Sequence, residues 1–154
     1  MPTLKRMFMP VGDVNRRFQG IPRRCTASST LFGHLVTPGG GRTYPTAYVD
    51  ALLEHTSGPI TDRLVRRFNR SSQAQAAMRA AEQEFTRRLN ARVAQAPRVG
   101  LLTLNDVAWL LGVSRSAVDN PRRAGTLPAT KVDDVYCVQP SDLTTRCTWQ
   151  LPTL

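Results

Sequence analysis

Outside one residue type, side chains able to do chemistry are few and scattered. The histidines, His34 and His55, have no evident partner nearby in sequence, and Cys25, Cys137 and Cys147 form neither a Cys-x-x-Cys pair nor a Cys/His cluster with metal-ligand spacing. No acid pair and no nucleophile–base set stands out, so the residues point to a protein that is not an enzyme and that holds no metal or cofactor. Arginine is the exception. Of the 21 basic residues 19 are arginine, against 11 acids, for a formal charge of +10. A guanidinium forks onto phosphate oxygens in a way an ammonium does not, and paired arginines recur at Arg16-Arg17, Arg23-Arg24 and Arg122-Arg123. A phosphate-rich partner is the expectation, set against the plainer reading that any single helical arginine faces solvent.

The charge is unevenly placed. Residues 1–100 hold 16 bases and 6 acids, whereas residues 101–154 hold 5 of each. Attraction to a polyanion is therefore expected from the first hundred residues, with Arg16, Arg17, Arg23 and Arg24 as leading candidates.

The elements that must position these arginines fall into four stretches. Residues 1–46 mix prolines, glycines and basic residues with scattered Phe8, Phe18, Leu31 and Phe32, and read as a basic arm or irregular lobe. The glycines at 39–41 follow no strand and precede no Gly-Lys-Ser/Thr, so they read as linker and not as a phosphate cradle. Residues 47–97 turn helical. Tyr48 and Leu52 share a face, a second helix starts at Thr61 with Leu64, Val65 and Phe68, and Ser71 or Ser72 caps a third that carries Met78, Ala81, Phe85, Leu89 and Val93 to Pro97. That narrow stripe suits one neighbour, either within the chain or in a homodimer. Residues 101–146 form the next unit and 147–154 a tail. No apolar run is long enough to cross a bilayer, the first residues lack the apolar core of a secretory leader, and prolines at 2, 10, 22, 38 and 45 break any amphipathic transit helix. A reducing, cytoplasmic setting is expected.

Local signals are densest from residue 101. Thr103 with Asp106 is a capping-box start, and Val107, Ala108, Leu110 and Leu111 give an apolar face with a small residue where helices cross. Gly112 supplies a left-handed helix end, Val113 plugs the corner, Ser114 caps the next helix and Val118 points back to the core. This string, with the Ala124–Ala129 turn, the Lys131–Tyr136 strand pair and the closing Pro140-Ser141-Asp142-Leu143, resembles the excisionase and MerR-like winged helix-turn-helix family over residues 101–143. The resemblance implies a mainly α fold with a small β-hairpin wing. It also implies a second helix in the major groove of double-stranded DNA, with Ser114, Arg115 and Ser116 in its first turn and Lys131 and Tyr136 on the wing. Arg115 would then fork onto a guanine, and the two serines would hold phosphates.

Asp119-Asn120-Pro121-Arg122-Arg123 departs from the family pattern. Proline lacks an amide donor and disfavours helical geometry at the residue before it. The second helix is expected either to stop near Asp119 or to restart with Asn120 as cap. Asp119 and the acidic wing tip, Asp133-Asp134, weaken the reading surface further. The leading expectation is a small DNA-binding regulatory or architectural protein of phage or mobile-element type, acting in the cytoplasm or on the nucleoid. The other is an adaptor of a virion or nucleoprotein particle that uses the winged fold for protein docking.

Overall fold

A computed structural model describes residues 6–18, 28–56, 59–96 and 100–153. The chain is mainly helical, with two small antiparallel sheets. Its spine is α5 (Ser72–Gln95), on which Ala74, Met78, Ala81, Phe85 and Leu89 recur every three or four residues and are all buried. Twenty-four residues make a rod about 36 Å long. One end enters a core with Tyr48, Leu52, Val65 and Phe68, and the other enters a core with Leu104, Val107, Leu111 and Val118. The stripe is thus covered within the chain, by α3 (Thr46–His55), α4 (Asp62–Asn69) and α6 (Leu104–Leu111), and needs no second copy to cover it.

The helix starts obey local chemistry. Thr61 Oγ1 accepts from Leu64 N at 3.1 Å to open α4, and Ser71 Oγ accepts from Ala74 N at 3.2 Å to open α5.

The described part of residues 1–46 is not an arm. It contains β1 (Phe8–Met9), α1 (Val11–Arg17), α2 (Ser28–Leu31), β2 (His34–Val36) and β3 (Arg42–Pro45). The prolines that argued for irregularity act as punctuation: Pro10, at φ −73°, precedes α1, and Pro45, at φ −61°, precedes α3. Nor are the glycines at 39–41 a linker. They close the β2–β3 hairpin, where Thr37 N donates to Gly41 O and Gly40 N to Thr37 O, both at 2.8 Å, with Gly40 at φ +84°. The apolar residues scattered over this stretch supply the order, since Phe8, Phe18, Phe32, Leu35 and Tyr44 are all buried. Burial of such side chains stabilises by roughly 1.5–3 kcal/mol each.

The tail is structural as well. Residues Thr148–Gln150 form β7, which completes a sheet of order β1-β3-β2-β7, with Leu35 opposite Trp149. The Trp149 ring lies 5.7 Å from that of Phe8 and 6.0 Å from that of Phe85, which ties the two ends of the chain to the spine.

Candidate nucleic-acid interface

The helix pair after the spine forms as its residues dictate. In β4 (Leu102–Thr103) and α6 the capping box is complete: Asp106 N donates to Thr103 Oγ1 at 3.1 Å and Thr103 N to Asp106 Oδ2 at 3.0 Å. Asp106 also takes Arg92 Nε from the spine at 2.8 Å, and Arg92 lies 4.7 Å from the centre of the Trp109 ring. The arginines of α5 therefore brace α6. Gly112 ends α6 at φ +66°, and Ser114 Oγ accepts from Ala117 N at 3.3 Å to open α7 (Arg115–Ala124).

The break expected at Asp119-Asn120-Pro121 does not occur, and α7 runs unbroken to Ala124. Proline's fixed φ is helical, and α7 forms in spite of the lost amide donor, the crowding of the carbonyl four residues back and the disfavoured helical geometry at Asn120. The ring is buried, and a Cβ on Gly39 of the β2–β3 turn would stand 3.4 Å from it. Downstream, Thr126 N donates to Pro121 O at 2.9 Å and Gly125 N to Arg122 O at 3.1 Å, a Schellman closure with Gly125 at φ +82°.

Two hairpins flank α7. On one side the β2–β3 turn lies against Ala117 and Pro121. On the other stands the hairpin of β5 (Thr130–Val132) and β6 (Val135–Val138), whose turn residues Asp133 and Asp134 take φ of 50° and 64° as a two-residue primed turn does. Val118 and Pro121 face inward, and Ser116, Asn120 and Arg123 are exposed. Ahead of the α6–α7 turn is a cleft of about 690 Å³ with Arg6, Arg42, Arg88 and Trp109 among its walls.

Four of the candidate residues named from sequence come together. The Arg122 guanidinium sits 3.9 Å from the centre of the Tyr136 ring and Lys131 Nζ 5.7 Å from it, while Arg122 Nε and Arg123 Nε each reach Asp119 at 2.8 Å. The hydrogen bond from Arg122 holds the Asp119 carboxyl below its usual range and raises the Arg122 pKa in turn. Arg123 remains 70% exposed. In the first turn of α7, Ser114 is used as a cap, Arg115 Nη1 donates to Asn105 Oδ1 at 2.7 Å and Ser116 is open to solvent.

Arg16 and Arg17 lie apart from this cluster, on α1, and are ion-paired with Asp13 and Asp50 respectively. Arg23 and Arg24 fall outside the described residues. On α5, Arg87 and Arg88 share Glu84, whose carboxyl their hydrogen bonds hold at about 2. Of the four leading candidates in the first hundred residues, the two that are described, Arg16 and Arg17, are thus compensated. The set that sequence reasoning passed over is on α4, where Arg63, Arg66, Arg67 and Arg70 are all exposed and lie in no ion pair among the described residues. Their i, i+3, i+4, i+7 spacing was the available signal.

Comparisons with known protein families, with curated proteins and with solved structures found no match. Among the described residues no helix is long and apolar enough to cross a membrane, and no three potential metal ligands cluster.

Proposed function

We propose that the protein binds double-stranded DNA as a small regulatory or architectural factor of the winged helix-turn-helix kind resembling excisionases and MerR proteins. In this reading α7 enters the major groove, and the β5–β6 hairpin is the wing. The observation that carries it is the open face of α7. Ser116, Asn120 and Arg123 point away from the core, and the helix bearing them is flanked by the β2–β3 turn near Pro121 and by the Arg122 guanidinium over Tyr136. Asparagine and arginine are the side chains that pair bidentately with adenine and guanine edges, each pair discriminating by about 1–3 kcal/mol.

Selection of duplexes from a random pool by the intact protein tests this. A defined motif is expected, and Asn120→Ala and Arg123→Ala should each relax preference at one base position by about 1–3 kcal/mol. A pool that stays random while the protein remains folded rules out base reading by α7.

A second reading, an adaptor of a larger nucleoprotein assembly, has its own support. Asp119, Asp13 and Asp50 compensate arginines that a phosphate partner would need, and Trp109 is 44% exposed beside Arg92. It predicts capture of a protein partner by the Trp109 surface and loss of that capture in Trp109→Ala, with no duplex bound.

A further inference from the structure

We propose that the arginine face of α4 is the protein's phosphate anchor, gripping the backbone of duplex DNA through Arg63, Arg66, Arg67 and Arg70. The inference rests on the duplex-binding reading above and adds the place of the phosphate contacts.

Four observations carry it. First, the four residues share one side of the helix, and the other side is locked inward. Val65, Phe68 and Asn69 are fully buried, and Asn69 is held by Tyr48 Oη, which donates to its Oδ1, and by its own Nδ2, which donates to Leu31 O at 2.7 Å and Pro152 O at 2.6 Å. The arginines cannot turn away from solvent without unseating that network. Second, they are uncompensated: half of the described arginines that form no ion pair lie on this one helix and its C-cap. Arg70 Nη1 makes only a 3.4 Å contact, to Thr153 O.

Third, stability does not account for the arrangement. Like charges at i,i+3 and i,i+4 repel, and Asp62, four residues before Arg66, forms no ion pair with it; although Arg66 and Arg67 suit the C-terminal end of the helix dipole, Arg63 sits in the first turn, where a cation is disfavoured. Fourth, the spacing fits a regular polyanion. From Arg63 to Arg70 the helix rises about 10.5 Å, about three phosphate spacings along one duplex strand and so room for about four phosphates. A bilayer is a poorer match, because the apolar residues Val65 and Phe68 are spent on the core and leave nothing to insert between lipid tails.

The experiment measures anisotropy of a fluorescein-labelled random-sequence 20-base-pair duplex with the intact protein between 50 and 200 mM NaCl. Each phosphate contact contributes about 0.9 to the slope of log affinity on log salt. The R63Q/R66Q/R67Q/R70Q variant should therefore have a slope shallower by about 3.6, so the wild type loses about 150-fold more affinity than the variant over that range. Its far-UV circular dichroism should match the wild type, and R63K/R66K/R67K/R70K should keep the steep slope. Should the glutamine variant fail to fold, R66Q/R67Q, with about half the change in slope, decides. A folded glutamine variant with wild-type affinity and slope overturns the anchor while leaving the duplex-binding reading in place. Failure of the wild type itself to bind duplex at 50 mM overturns both. Wild-type binding to vesicles containing phosphatidylserine, or to an acidic protein, in preference to duplex overturns the anchor.

Discussion

Asn69 shows how one side chain can set the orientation of a surface. Its amide joins α3, the end of α2 and the residues after β7 through three hydrogen bonds in a fully buried position. Burial also pushes the Tyr48 hydroxyl pKa above its ordinary value, so that hydroxyl stays protonated and donates to Asn69. Truncation at Asn69 strands a buried hydroxyl and two carbonyls, and an unsatisfied buried group costs about 1–3 kcal/mol. Asn69→Ala is expected to lower unfolding free energy in urea by about 3 kcal/mol, and Tyr48→Phe, which leaves the other two bonds intact, by about 1 kcal/mol. A loss under about 0.5 kcal/mol for Asn69→Ala would show that α4 is held by its apolar residues alone.

Among elements, the α6–α7 turn is where sequence and structure agree best. Its signals are local: Thr103 and Asp106 three apart, Gly112 at the helix end, Ser114 two residues on. Gly112 also has a second role that no local signal reveals. A Cβ there would come within 3.0 Å of Phe8 Cβ and 3.2 Å of Phe8 O, so the turn packs directly on β1. With φ at +66° as well, Gly112→Ala is expected to cost about 2 kcal/mol or more, seen as a lower Tm, whereas Gly125→Ala, with nothing near its Cβ, should cost only about 1 kcal/mol for its φ. Equal losses at the two positions would argue against the β1 contact. The N-terminal lobe was not legible in the same way. Its strands are two to four residues long, too short to show alternation, and their partners are distant, as in the pairing of Leu35 with Trp149. Pro121 misled for the opposite reason. Its local rule is sound, but α7 runs on through Pro121, whose ring is buried near the β2–β3 turn, to the Schellman closure at Gly125.

For the molecule as a whole, the sequence carries the amount of charge and its excess over residues 1–100, while the fold decides which of those arginines stay unpaired. The net +10 and the neutrality of residues 101–154 follow from composition, but which arginines are free depends on pairs such as Arg17 with Asp50, 33 residues apart. Ion pairs take up Arg16 and Arg17 of α1, Arg87, Arg88 and Arg92 of α5 and Arg122 and Arg123 of α7, whereas among the described residues the arginines of α4 lie in none. The open face of α7 was foreshadowed by its serine cap and by Val118, while the bracing of α7 by two hairpins needed the fold. Two cores threaded on α5, with Trp149 packed against both, join α4 and α7 in one body.

Arginine footprinting tests this account most directly, with phenylglyoxal modification of the intact protein read by mass spectrometry with and without a saturating 20-base-pair duplex. The duplex is expected to shield Arg63, Arg66, Arg67, Arg70 and Arg123, while Arg16 and Arg87 react as in the free protein. Shielding confined to Arg16 and Arg17, or none at all, would contradict it.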